Sequence, residues 1–240
     1  PPFCARSALV FPAGRGYNKT ISNQKGREGF SVKLMVLDGN SVVNRAYYGV
    51  RTMLKTHDGL YTNAIFGFLN ILTRLVDEEQ PEALCVTFDL HAPTFRHEAY
   101  ADYKAGRRPM PEELRMQIPV LKDVLEQMNI PRYEKEGYEA DDLIGAISRR
   151  CERAGWDCVV VTGDKDSLQL ITDHTKVKLV TTSGGQSSSR DMTPETFFEE
   201  YGFAPIHMID LKALMGDASD HLPGVPGVGE KTALDLIRRY

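Results

Sequence analysis

The stretch CVVVTGDKD, residues 158–166, decides the fold. Cys158 to Val161 are apolar without a break, Thr162 follows, and the run stops at Gly163-Asp164. A strand that does not alternate apolar with polar residues is covered on both faces, as in a parallel sheet. The same signature recurs along the chain. LMVL (34–37) stops at Asp38-Gly39, LCVTF (84–88) stops at Asp89, and VKLV (177–180) reads as a fourth, partner strand. The segments between them have helical periodicity. Residues 62–78 place Ile65, Phe68, Leu69, Leu72, Leu75 and Val76 on one face, with Thr62 as N-cap. Residues 111–128 and 140–154 repeat the pattern. Alternating strands and helices predict an α/β domain with a mostly parallel sheet flanked by helices. TPETFFEEYG (193–202) opens another helix, with Thr193 as cap and Pro194 in its first turn. Helices then continue to the end and form a C-terminal helical subregion.

Composition agrees with a globular chain. It has 240 residues, 42% of them hydrophobic, and no apolar run of membrane-spanning length. Cys4, Cys85, Cys151 and Cys158 show no CxxC spacing, and buried reduced thiols are expected. The net charge is −4, unevenly placed. Residues 1–31 carry five basic residues and one acid, which leaves −8 for residues 32–240. The first 31 residues lack periodicity and read as a disordered or non-native segment; their acid-poor, arginine-containing make-up also suits a transit peptide. The acidic remainder argues against broad non-specific nucleic-acid binding, although bound cations can reverse a local field.

The charge pattern has a focus. Asp38, Asp89 and Asp164 each follow a strand, at the sheet edge where ligands bind in open α/β folds. Asp166 follows in TGDKD, and Asp217 and Asp220 lie in MGDASD. GYEADDLIGA (137–146) adds Glu139, Asp141 and Asp142 at a helix start. Alone, EADD is a favourable helix N-terminus. Together, nine acids that the topology could bring to one edge cannot all stay ionised without counter-charge. An oxygen-only set favours Mg²⁺ or Mn²⁺ over zinc. Two such ions ~3.5–4 Å apart are the usual device for hydrolysing a phosphodiester.

Two further segments concern the substrate. PTFRHEAYADYKAGRRPMPEELR (93–115) interleaves Arg96, Lys104, Arg107 and Arg108 with Phe95, Tyr100 and Tyr103. That mixture suits phosphate contact and base stacking, or a solvated helix with ion pairs. On a helix, Lys104 and Arg107 would point the same way, towards a scissile phosphate. LPGVPGVGEKTALDLI (222–237) holds Gly224, Gly227 and Gly229 in a tight turn before a helix that starts at Glu230 or Lys231. With the predicted helix 206–215 it makes a helix–hairpin–helix, able to hold a duplex backbone through N–H groups.

LMVLDGNS, VTFDLHAPTFRHEAYADYKAGR, GYEADDLIG, VVVTGDKDSLQLI and KALMGDASDHLPGVPGVGEKTA resemble, in order, the motifs of the 5′-nuclease domain family of bacterial DNA polymerases I. That family is related to flap endonucleases and phage 5′-exonucleases. The resemblance covers Lys33 to Tyr240 and implies a PIN-like fold, with a catalytic domain over 32–204 and a helix–hairpin–helix region over 205–240. It implies Mg²⁺-dependent removal of RNA primers and 5′ flaps, with two or more ions, Mn²⁺ as a substitute, and a monovalent cation at the hairpin. It makes Asp38, Asp89, Glu139 and Asp141 a first metal cluster. Asp142, Asp164, Asp166, Asp217 and Asp220 match the remaining acidic positions. Lys104 and Arg107 match positions that contact the scissile phosphate, and Tyr47 matches an aromatic near the substrate's terminal base. Arg96, Arg108, Lys231 and the three hairpin glycines are the expected DNA contacts. The chain departs from the pattern at His221, where the family has Asn, and at Asn44, where it more often has Tyr. Family domains continue past Tyr240 into a polymerase, and residues 1–31 match nothing in them. A monomer in the bacterial cytoplasm is expected, or in an organelle if residues 1–31 are a transit peptide, with nicked, flapped or primer-bearing DNA as partner and no membrane. A PIN-like ribonuclease and a catalytically impaired DNA-binding fragment are the competing readings.

Overall fold

A computed structural model describes residues 32–183 and 186–240. The expectations for residues 1–31 lie outside the described residues. The first half of the chain runs β1 (Lys33–Asp38), α1 (Gly39–Gly49), α2 (Asn63–Glu79), β2 (Ala83–Thr87), α3 (Phe95–Ala99), α4 (Glu112–Arg115), α5 (Gln117–Gln127) and β3 (Arg132–Tyr133). The second half runs α6 (Ala140–Ala154), β4 (Asp157–Thr162), β5 (Thr175–Ser183), β6 (Gln186–Met192), α7 (Pro194–Tyr201), α8 (Met208–Met215) and α9 (Glu230–Arg239).

The six strands form one sheet in the order β3-β2-β1-β4-β5-β6. Every neighbouring pair is parallel except β5 with β6. The apolar runs are explained by the two cores they serve. Met35 and Leu37 face one core with Leu84, Val86, Val159 and Val161, under α1, α2 and α5. Leu34 and Val36 face the other with Cys85, Cys158 and Val160, under α6 to α9. Side chains on a strand alternate in direction, so a strand between two helix layers must be apolar at every step. Cys85, Cys151 and Cys158 are free and buried in the second core. Met208, Leu211 and Ala233 belong to that core too, so the C-terminal helices are fastened to the sheet.

α6 and α7 begin where their caps predict, α7 with Thr193 Oγ1 accepting from the Thr196 N–H. Two expectations are corrected. Thr62 sits at the N-cap of α2 but makes no side-chain capping bond. Gln117 performs that task, its Oε1 accepting from Ala64 N at 2.8 Å and Ile65 N at 3.3 Å. The helix expected over 111–128 is two helices, α4 and α5, meeting at Met116. Gln117 Nε2 takes the Glu113 carbonyl at 2.8 Å, and Pro119 has no N–H for the Arg115 carbonyl. β6, QSSSRDM, has no apolar signature because it is an edge strand whose exposed side faces water. Among the described residues, no helix is long and apolar enough to cross a membrane.

Candidate active site

β1 lies between β2 and β4, and the chain leaves it in opposite directions to reach them. This topological switch opens a crevice at the strands' carboxyl ends, and the acids gather there. Asp38 ends β1 and caps α1. Its Oδ1 accepts from Ser41 N at 2.9 Å and its Oδ2 from Thr162 Oγ1 at 2.8 Å. Ser41 Oγ in turn accepts from Gly163 N at 2.9 Å, tying the β1 and β4 ends together. Asp89, just beyond β2, accepts from Ala140 N at 2.7 Å, at the start of α6. Asp164, just beyond β4, accepts from Asp166 N at 2.9 Å.

Asp38 is 5% exposed, and burial raises its carboxyl pKa to about 6, helped by Asp89 and Asp164 and resisted by the Ser41 and Thr162 hydrogen bonds. Asp141 is raised as well, first by loss of solvation and then by the charges of Asp38, Asp164, Asp89 and Glu139. Asp141 is also exposed on its outer side, and solvent there screens part of the repulsion. These five acids share one field; among the described residues Glu139 is paired with a cation, Lys104, while Asp38, Asp89, Asp141 and Asp164 form no ion pair.

The other acids are differently placed. Glu139 is 9% exposed; its Oε1 accepts from Lys104 Nζ at 2.7 Å and its Oε2 from the Tyr103 hydroxyl at 2.9 Å. Asp142 turns away to Arg96, which donates to both its oxygens at 2.8 Å, while Asp142 Oδ2 also accepts from Glu139 N. Burial would raise Asp142, but Arg96 and that N–H hold it below the usual carboxylate range. Its part in this structure is to fix Arg96 and cap α6. Asp166 and Asp217 form a second group bridged by Lys212, whose Nζ lies 2.7 Å from Asp166 Oδ1 and from Asp217 Oδ2. Burial notwithstanding, Lys212 and Ser219 hold Asp217 at about 2, whereas Asp166 remains raised. Asp220 pairs with Arg107 and lies 3.2 Å from the Tyr103 hydroxyl.

Oxygen-only donors crowded into mutual repulsion fit a hard divalent cation in charge and chemistry. Among the described residues, no three of them already converge as a closed cage. Asp38, Asp89, Asp164 and Glu139 are turned onto protein donors, so the site is an open acidic basin.

The basic loop folds over its rim. Residues 101–106 form turns, not the helix on which Lys104 and Arg107 were expected to align. Lys104 has a left-handed φ of 59° and donates its N–H to the Asp220 carbonyl at 2.9 Å. Lys104 and Arg107 therefore reach two different acids. Arg108 is exposed on the same loop, and Tyr47, on α1 beside Tyr48, packs partly against the first core.

The hairpin glycines divide their roles. A side chain on Gly224 would start 2.3 Å from the Met215 carbonyl carbon and 2.5 Å from Gly216 N, so Gly224 permits a close backbone crossing. Gly227 has φ 80° and makes the turn. Gly229 is the N-cap of α9, and Lys231 is exposed in its first turn. His221 has φ 61°, a left-handed conformation that Asn adopts more readily than most residues. Sequence reasoning missed Lys212 and Tyr103 as site residues. Lys212 sits five positions before Asp217 on α8, a spacing with no helical signal across the Gly216 break.

The model of the 5′-3′ exonuclease N-terminal resolvase-like domain matches residues 33–202, and that of the C-terminal SAM fold matches residues 203–240. The chain belongs to the 5′-3′ exonuclease family. DNA polymerase I of Bacillus caldotenax is 44% identical over 208 residues, which cover 87% of this chain and 23% of the relative. The chain thus spans about a quarter of the length of the curated relatives it matches. Among solved structures, a zinc-bound T5 5′-exonuclease has a TM-score of 0.68 at 23% identity, covering 87% of this chain and 75% of that one. A T5 D15 flap endonuclease variant complexed with DNA and metal ions gives the same values. At that identity the likeness is one of fold. The expected α/β architecture and family are borne out, and the chain is a nuclease domain of the DNA polymerase I type.

Proposed function

We propose that this nuclease uses Mg²⁺ to cut phosphodiesters of DNA or RNA primers at 5′ single-strand/duplex junctions, within a DNA polymerase I of the bacterial cytoplasm. The observation that carries this reading is the acidic basin, in which Asp38, Asp89, Asp141 and Asp164 form no ion pair among the described residues. Acids from three strand ends and one helix start are gathered where loss of solvation, and then one another's charges, raise Asp38 and Asp141. Asp38, Asp89, Glu139, Asp141 and Asp164 would hold the ions, with Asp166 and Asp217 as a further group released from Lys212. When bound, the ions supply Lewis acidity towards the phosphate and activate the attacking water. Lys104 and Arg107 would exchange Glu139 and Asp220 for the scissile phosphate and stabilise the charge that develops on it. Tyr103 keeps its proton, because burial and then the charges of Glu139 and Asp220 oppose ionisation, so its hydroxyl remains a donor that orients Glu139. The hairpin between α8 and α9 would grip the duplex backbone, and a monovalent cation there would be in keeping with that role. The catalytic unit spans residues 32–204 and the hairpin region 205–240, acting as a monomer.

The test is cleavage of a labelled 5′-flap duplex and of single-stranded RNA, with Mg²⁺ or EDTA. Metal-dependent release of the flap is the expected result. Cleavage of RNA alone would favour a ribonuclease. DNA binding without cleavage at any metal concentration would reduce the chain to a binding fragment.

A further inference from the structure

Phe95 and Tyr138 stand side by side outside both cores, 46% and 42% exposed, with ring centroids 5.8 Å apart and planes at 58°. Exposed aromatics are unremarkable singly; a fixed pair is not. Their backbones are locked together by the Thr94–Gly137 bridge and by Phe95 N donating to the Gly137 carbonyl at 3.2 Å. Gly137 makes this possible with a φ of 80°. A cation lies against each ring: Arg96 is 4.5 Å from the Phe95 centroid and Lys135 Nζ is 4.4 Å from that of Tyr138. Arg96 is immobilised by its two hydrogen bonds to Asp142, and Tyr138 immediately precedes Glu139. The pair therefore sits at the rim of the acidic basin, one residue from a carboxylate of the site.

We propose that Phe95 and Tyr138 form a stacking platform for one unpaired nucleobase of the substrate strand, with Lys135 on its phosphate. The proposal rests on the nuclease reading above. Two rings at 58° suit a base stacked on one and meeting the edge of the other. Cations beside both rings complement the phosphates on either side of that base. A paired base is already stacked and cannot use the platform, so the site selects the single-stranded side of a junction. The locked backbones mean that little order has to be created on binding.

The test measures DNA affinity in Ca²⁺ by anisotropy, for a 5′-flap duplex and for the same duplex without its flap. Phe95→Ala and Tyr138→Ala should each weaken flap binding about tenfold and leave the flapless duplex unchanged, while Tyr138→Phe binds like the original chain. An abasic site at the first unpaired position should remove the same factor from the original chain and cost the alanine variants nothing further. A 2-aminopurine placed there should be quenched by the original chain and not by the double alanine variant. Unchanged flap affinity in the alanine variants, as for a platform serving a protein segment, overturns the proposal, and so does an equal loss for both duplexes. Metal-dependent flap cleavage by the original chain is measured in parallel. If it cleaves and the variants bind normally, the platform alone fails; if it neither binds nor cleaves, the nuclease reading fails with it.

Discussion

Two charged clusters lie in different parts of the same sheet, one on β5 and β6 and the other beyond the carboxyl ends of β1, β2 and β4. In the first, Glu79 of α2 accepts from Lys176 and Lys178 of β5 at 2.9 and 2.8 Å, and Asp191 of β6 binds the same two lysines. Lys178 and Glu79 are only 6% exposed, yet each is paired, and after burial is offset Glu79 and Asp191 lie below their ordinary pKa values and Lys178 above its own. In the second, Asp38 and Asp141 are raised by burial and by one another's neighbours. The first cluster is complete as it stands. The second leaves a charge imbalance that only an added cation or proton can remove. Sequence composition would count both as acidic patches; compensation separates a structural network from a reactive site.

Removing one charge from each cluster should have opposite consequences. Asp164→Asn should lower flap cleavage by roughly 10²–10³-fold or more while the metal-free fold stays intact, because it relieves repulsion. Lys178→Met should do the reverse. It leaves Glu79 and Asp191 less balanced in a buried setting and should cost roughly 3 kcal/mol of stability, read by urea unfolding, with cleavage rates unchanged at temperatures where the variant is folded. Full activity in Asp164→Asn would sink the site assignment.

The pH dependence should also split the clusters. Asp38 has a folded-state pKa of about 6, above its unfolded value, so the folded state keeps a proton that the unfolded state has released. Its contribution to stability is present at low pH and is lost as pH rises through about 6. Glu79 and Asp191 are lowered, so their contribution is present above the ordinary carboxylate range and is lost on acidification below it. In EDTA, thermal unfolding should shift down by a few degrees between pH 5 and 8, and Asp38→Asn should flatten that slope. An unchanged slope in Asp38→Asn would assign the effect elsewhere. The smallest expected effect is His221→Asn, which eases a left-handed residue in the Asp217–Leu222 loop and should stabilise by about 0.5 kcal/mol, measured by the same unfolding experiment.

The parts of the molecule that obey periodic rules were legible. Strands β1, β2 and β4 announce themselves because both faces are buried, and α6 because Glu139 to Asp142 start it and Gly155 ends it in the left-handed region. The positions of Asp38, Asp89 and Asp164 follow from strand ends alone. What escaped depends on contacts distant in sequence. Nothing near Asn63 says that Gln117 will cap α2, and nothing near Asp166 says that Lys212 will bridge it to Asp217. The turning of Asp142 to Arg96, 46 residues away, is of the same kind. β6 lacked a signal because an edge strand with a wet face needs none.

Whether the basin is a metal site is decided by calorimetric titration of Mg²⁺ at pH 7 in two buffers of different ionisation enthalpy. The basin should bind the metal and release protons, since Asp38 and Asp141 are the groups raised towards that pH. Asp141→Asn should lose much of both the binding and the proton release, whereas Glu79→Gln should retain both. No saturable binding by the original chain, or equal binding and proton release by Asp141→Asn, would contradict the account.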